Sequence, residues 1–231
     1  MTESVAVNFK NTFPVFPLPE TLLLPHAVLP VSVSEPRYLQ LTDHALDGSG
    51  QIAVATYGNT KEKGDCEEPS LRSTVCLGQI VQHEKAHYGY NILVYGLCRA
   101  TIANETQPTD ECLYRKAKLL PFVGEESDEL DLEEYRDELL HLMFRPGLQR
   151  VENHQTIMDW ITEGGLSTPA LFELIGCTVF NDSELRYELL SEPSCIARTK
   201  RVMKELIQLD KTLSMTDNQS QDRWENGISW N

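Results

Sequence analysis

"VLPVSVSEPRYLQL", residues 28–41, decides the architecture. Val31 and Val33 alternate with Ser32 and Ser34, the period of a half-buried strand. Pro36 ends the extended run, and "RYLQLTDHALD" follows with helical spacing. A proline in the first helical turn costs no hydrogen bond, because an N–H there has no partner within the helix. Ser34 or Glu35 therefore opens a helix over residues 36–47. Tyr38 and Leu41 are i, i+3 neighbours on its buried side. Arg37 stands where it can meet a carboxylate or a strand-end carbonyl. Glu35, Pro36, Arg37 and Tyr38 read as a structural turn that fixes a helix on a sheet. The competing reading is a catalytic Glu35–Arg37 pair. The structural reading accounts for all four residue types at once, and we adopt it.

Working outward, the first half continues as strands. "FPVFPL" upstream is short and apolar, and its prolines suggest an edge or a strand beginning. "QIAVATY" follows the Gly48-Ser49-Gly50 turn. "TVCLGQIVQHEKA" and "YNILVYGLCRATI" are longer runs joined through "HYGY", a hairpin in which Gly89 can take a positive φ. "CLYRKAKLLPFV" closes the series. This is about six strands interrupted by one helix.

The character changes at Gly124. The acidic run "EESDELDLEE" turns amphipathic, with Leu132, Tyr135, Leu139, Leu142 and Met143 at helical spacing. Its carboxylates read as a solvated first turn favoured by the helix dipole, rather than as a cation site. Leu148, Val151, Ile157, Met158 and Ile161 mark a second helix. Pro169 opens a third, and Asp182 or Ser183 caps a fourth. Ile196, Val202, Met203, Leu206, Leu209 and Leu213 mark a fifth, about five turns long. Residues 214–231 are polar and aperiodic, and read as a mobile tail. Strands first and helices second make an α+β chain: a β subdomain over 12–123, a helical bundle over 124–213, and the tail.

The formal net charge of −15, on 231 residues, repels phosphate backbones, so no nucleic-acid partner is expected. None of the six cysteines stands in a C-x-x-C pair, and no zinc spacing occurs. No basic leader followed by an apolar core and no run of about 18 apolar residues is present. A cytoplasmic protein with reduced thiols and no membrane partner is the expectation. His83 and His87 are four apart in a strand, hence about 13 Å apart, too far to share a metal. No metal, no cofactor and no catalytic residue is assigned.

The order of these segments resembles the N-terminal domain of Lon-type ATP-dependent proteases. The resemblance is carried by Phe16, Pro17, Leu18, Leu24, Pro25, Leu29, Pro30, Glu35, Pro36, Arg37 and Tyr38. "IAVATY", the hairpin runs, "YRKAKLLPF" and "ELLSEPSCIARTKRVMKEL" then follow in the family's order. It implies a six-stranded PUA-like pseudo-barrel followed by a helical bundle, in a region that helps recognise polypeptides. The family usually has Gly where this chain has His26, and the loop "YGNTKEKGDCEEPSLRS" is peculiar to this chain. No G-x-x-x-x-G-K-[ST] phosphate loop occurs. The resemblance thus implies a stand-alone, non-enzymatic polypeptide-binding or adaptor protein. An RNA-binding module and an uncharacterised hydrolase are the other readings, and the oligomeric state is open. The candidate contact for unfolded polypeptide is Leu22-Leu23-Leu24-Pro25-His26. Three successive leucines in a strand cannot all face inward, so at least one is expected to be exposed.

Overall fold

Glu35 is the N-cap of helix α1 (Pro36–Leu46), with extended backbone at φ −71° and ψ 135°, and Pro36 takes the first helical position. Its carbonyl accepts the N–H groups of Tyr38 and Leu39 at 2.9 Å each. The expected strand-to-helix turn is therefore present. The computed structural model describes residues 6–19, 21–58, 69–123 and 132–225, with side chains as far as 215. The acidic run 124–131 and most of the 57–73 loop lie outside the described residues.

Six strands form one mixed sheet: β1 (Thr12–Pro17), β2 (Val28–Val33), β3 (Gln51–Ala55), β4 (Thr74–Ala86), β5 (Gly89–Thr106) and β6 (Lys116–Pro121). Their order is β2-β5-β4-β3-β1-β6, and an additional β5–β6 pairing closes the ring. The 18-residue β5 makes closure possible. Residues 90–95 pair with β2, and residues 100–106 pair with β6. The ring therefore closes through five strands, and β2 flanks it. The interior confirms this, because Phe13, Val15, Ala53, Ala55, Val75, Leu77, Ala100, Ala117 and Leu119 come from those five strands alone. The alanines make room for Phe13, Leu77 and Leu119, the small-and-large alternation that fills a narrow barrel.

Of the two readings of the β1 prolines, an edge or a strand beginning, the edge does not hold. β1 pairs on both sides, with β6 over Thr12–Pro14 and with β3 over Val15–Pro17. The two ladders use successive halves of the strand, which is how it carries Pro14 and Pro17 without being an edge. Pro30 marks the real edge, β2, which among the described residues pairs with β5 only.

The hairpin forms as expected. His87-Tyr88 is its two-residue loop, and Gly89 has φ +152°. A Cβ there would lie 1.8 Å from the Val33 carbonyl oxygen, so only glycine suits the position.

Helix α5 (Ser183–Ser191) clusters with the strands, and residues 180–193 share a compact unit with residues 1–123. Asp182 caps it through the N–H groups of Glu184 and Leu185. Arg72 reaches Glu184 with two bonds of 3.0 and 2.8 Å, and its guanidinium lies 3.6 Å from the centre of the Tyr187 ring. The Thr74 N–H donates to the Tyr187 hydroxyl, and Arg99 donates to the carbonyls of Leu189 and Leu190 at the helix C-terminus.

The second unit holds α2 (Glu133–Met143), α3 (His154–Thr162), α4 (Thr168–Val179) and α6 (Cys195–Glu225). Leu139, Leu142, Ile157, Leu171, Ile175 and Leu206 form part of its buried core. Arg136 donates to the carbonyls of Trp160, Ile161 and Leu166. Arg198 and Glu173 form a buried ion pair at 2.9 Å. The α6 backbone stays helical past Leu213 as far as Glu225. No Pro or Gly intervenes there, and adding a residue to an existing helix is far easier than starting one.

Candidate functional site

The apolar loop is not an exposed contact. Leu22, Leu23 and Leu24 are 2%, 1% and 0% exposed, and Pro25 is buried too. The expectation that one leucine must be exposed rested on strand alternation. Residues 21–24 form no strand, so the alternation does not apply and all three turn inward. Leu23 packs beside Gly78, and the Leu24 carbonyl lies against Gly96.

Of the five residues, only His26 is exposed, and its backbone is unusual. It has φ +67°, the one positive φ outside glycine among the described residues. The Ala27 N–H donates to the Leu24 carbonyl at 3.2 Å, closing a four-residue turn with Pro25 second and His26 third. That is the type II pattern, whose third position favours glycine. The glycine expected from the family resemblance thus has a backbone reason, and His26 occupies the position in spite of it. Two further bonds pin the turn to β5: His26 N–H to the Gly96 carbonyl, and Gly96 N–H to the Ala27 carbonyl, both 2.9 Å.

Glu35, Arg37 and Tyr38 meet at the other end of β2, about 20 Å away at 3.3 Å per residue. The two candidate clusters are therefore separate. Arg37 Nε donates to Glu35 Oε2 at 3.0 Å, and the guanidinium stacks 4.6 Å from the centre of the Tyr38 ring. Tyr38 is buried against Phe16, ring centres 4.6 Å apart. Burial pushes its phenol well above the ordinary tyrosine range, and hydrogen bonding to Tyr57 adds to the effect. Arg37 opposes the shift. The phenol stays neutral and the two charged groups bind each other.

These side chains border a groove of about 330 Å³. One wall is the end of β2, from Val31 to Ser34, and the other is the exit of β1, from Phe16 to Pro19, with Tyr57 beside it. A second groove, of about 260 Å³, lies over one face of β2, β5 and β4, among Pro30, Ser32, Asn91, Leu93, Gln82 and Glu84. The sequence reading missed the second groove, because its lining comes from three strands whose register no local pattern gives. The β4–β5 register shifts between Ile80 and Gln82, and Val81 is left 55% exposed. Val28, at the start of β2, is similarly exposed at 53%.

Among the described residues no three His, Cys, Asp or Glu side chains gather as a metal site would require, and no helix is long and apolar enough to cross a membrane.

A comparison with curated protein sequences found no match. Among solved structures, the N-terminal domain of the Mycobacterium avium complex Lon protease is similar, with a TM-score of 0.62 and 21% identity. That match covers 87% of this chain and 98% of the other. A Lon N-terminal domain protein from Xanthomonas campestris matches with a TM-score of 0.52 and 17% identity, over 84% of this chain and 98% of that one. At these identities the likeness speaks to fold alone. The family description "ATP-dependent protease La (LON) substrate-binding domain" matches residues 12–208, most of the chain, and the chain belongs to that family.

Proposed function

We propose that this protein binds polypeptide segments in a non-native, extended state and presents them without cutting them, as an adaptor in the cytoplasm. The observation that carries the reading is the substrate-binding family match over 12–208. The site geometry supports it, since grooves of mixed polar and apolar character border a sheet edge at β2. RNA binding is disfavoured by the net charge of −15.

The test is fluorescence anisotropy with reduced, carboxymethylated α-lactalbumin and with the same protein in its native form. The unfolded form should bind and the native form should not, and the bound chain should be recovered intact. Failure to bind unfolded chains, or cleavage of them by the purified protein, would overturn the reading.

A further inference from the structure

Pro30 sits in the middle of β2 and has no N–H to give to β5. In an antiparallel pair the ladder bonds fall on alternate residues. The bond from Gly96 N–H to the Ala27 carbonyl sets the phase, so Leu29, Val31 and Val33 bond to β5. The peptide groups of Val28, Pro30 and Ser32 then face away from the sheet. The Ser32 hydroxyl is engaged across the ladder, donating to Asn91 Oδ1 at 2.9 Å, which leaves its backbone N–H and carbonyl at the edge. β2 therefore offers N–H donors at Val28 and Ser32 and carbonyl acceptors at Val28, Pro30 and Ser32.

Val31 and Ser32, on this edge strand, border both grooves. An extended chain sends successive side chains to opposite faces. A strand laid along β2 would send one set toward the groove of Phe16, Tyr38 and Tyr57, and the other beside Pro30 and Ser32, at the rim of the groove that runs inward over β5 to Glu84 on β4. Glu84 is the charged side chain lining the second groove. With a net charge of −15 on the whole chain, the complement is a segment carrying a basic residue.

We propose that the edge of β2, free among the described residues, captures its polypeptide by strand addition, taking an extended segment with apolar residues on one face and a Lys or Arg on the other. This rests on polypeptide binding as the function. Backbone bonds to Ser32 and Val28 supply sequence-tolerant affinity, and the two grooves supply the preference. Pro30 limits the edge to a short pairing, which guards against runaway edge-to-edge association.

The probe is a fluorescein-labelled nonapeptide of alternating valine and threonine with two lysines among the threonines. Two further versions carry N-methyl groups on alternate residues, one in each phase. Strand addition needs the peptide N–H groups of one phase only. The plain peptide and one methylated version should bind alike, and the other methylated version at least tenfold more weakly. The Ser32 amide should exchange at least tenfold more slowly in the complex. Ser32→Pro removes an outward donor and no ladder bond, and should weaken binding at least tenfold at an unchanged unfolding midpoint. If Ser32→Pro lowers the midpoint, the methylated pair and the Ser32 exchange rate decide alone. Equal binding of all three peptides with no Ser32 protection would overturn the edge while leaving polypeptide capture standing. So would binding of unfolded α-lactalbumin but not of the plain nonapeptide. Failure with every unfolded chain would instead strike the function itself.

Discussion

The carbonyl oxygen of Leu24 occupies the space in which Gly96 would carry a side chain: a Cβ on Gly96 would lie 2.2 Å from it. Both partners are backbone, so neither can swing aside. Gly96→Ala should therefore destabilise by about 1–3 kcal/mol, as overpacking does, and uncouple the 24–27 turn from β5. Urea unfolding gives the loss, and faster exchange at the His26 amide reports the local cause.

His26 stands in the left-handed region that a glycine would occupy without strain. Relief of that conformation is worth about 1–2 kcal/mol, and glycine's extra unfolded-state freedom returns about 0.5–1 kcal/mol. The side chain's contact with the Tyr95 hydroxyl is long, 3.4 Å, and adds little. His26→Gly should thus stabilise by about 0.5–1 kcal/mol, and His26→Val should destabilise, because a β-branched side chain fares worst at positive φ. At about 2–4 °C per kcal/mol, thermal scans of the two variants should move in opposite directions.

Tyr38→Ala should cost about 3–5 kcal/mol, the range for truncating a buried aromatic. Arg37→Ala should cost under about 1 kcal/mol, since its ion pair with Glu35 is solvent-exposed on both sides. Chemical denaturation of both variants checks the ratio, and a larger loss at Arg37 than at Tyr38 would contradict the packing.

In the second unit, Arg198→Met alone removes the guanidinium that pairs with the Glu173 carboxylate, which is 6% exposed. That should cost about 3–5 kcal/mol, whereas Arg198→Met combined with Glu173→Leu should recover much of it. A double-mutant cycle in urea reads the coupling directly.

High pH should unfold the protein from the side of its phenols. Burial, helped by the neighbouring Cys112, pushes Tyr114 up from 10.0 to about 12, and burial pushes Tyr38 further. A raised acid holds its proton longer in the folded chain. Its contribution is therefore complete below about pH 10 and is lost as pH climbs from 10 toward 12. Tyr114→Phe should flatten that decline in unfolding midpoint against pH between about 10 and 12.

Much of this fold could be read from local pattern. Val31 and Val33 against Ser32 and Ser34 gave a strand, Pro36 gave the helix start, and "HYGY" gave the hairpin. What escaped was whatever depends on distant partners. Pro14 and Pro17 look like edge residues until β1 is seen to share itself between two neighbours end to end. Strand alternation put at least one of Leu22, Leu23 and Leu24 at the surface, where its replacement by Ser would spare stability. Leu23 is 1% exposed beside Gly78, and Leu23→Ser should cost several kcal/mol. The sequence grouped helix α5 with the other helices by order along the chain, yet its partners Arg72, Thr74 and Arg99 lie some 90 to 110 residues earlier. No window of sequence spans that distance, and the two grooves depend on similarly remote neighbours.

The return of α5 to the strands also has a consequence in time. A ribosome releases residues 1–123 long before residues 183–191, with the whole stretch 124–179 between them. At about 5–20 residues per second, the 70 residues from 123 to 193 take roughly 4–14 s to make. Throughout that interval the nascent barrel has its strands but lacks the helix that engages Arg72 and Arg99. The segment that joins the strands is made after most of the second unit, so order of synthesis and grouping in space are interleaved.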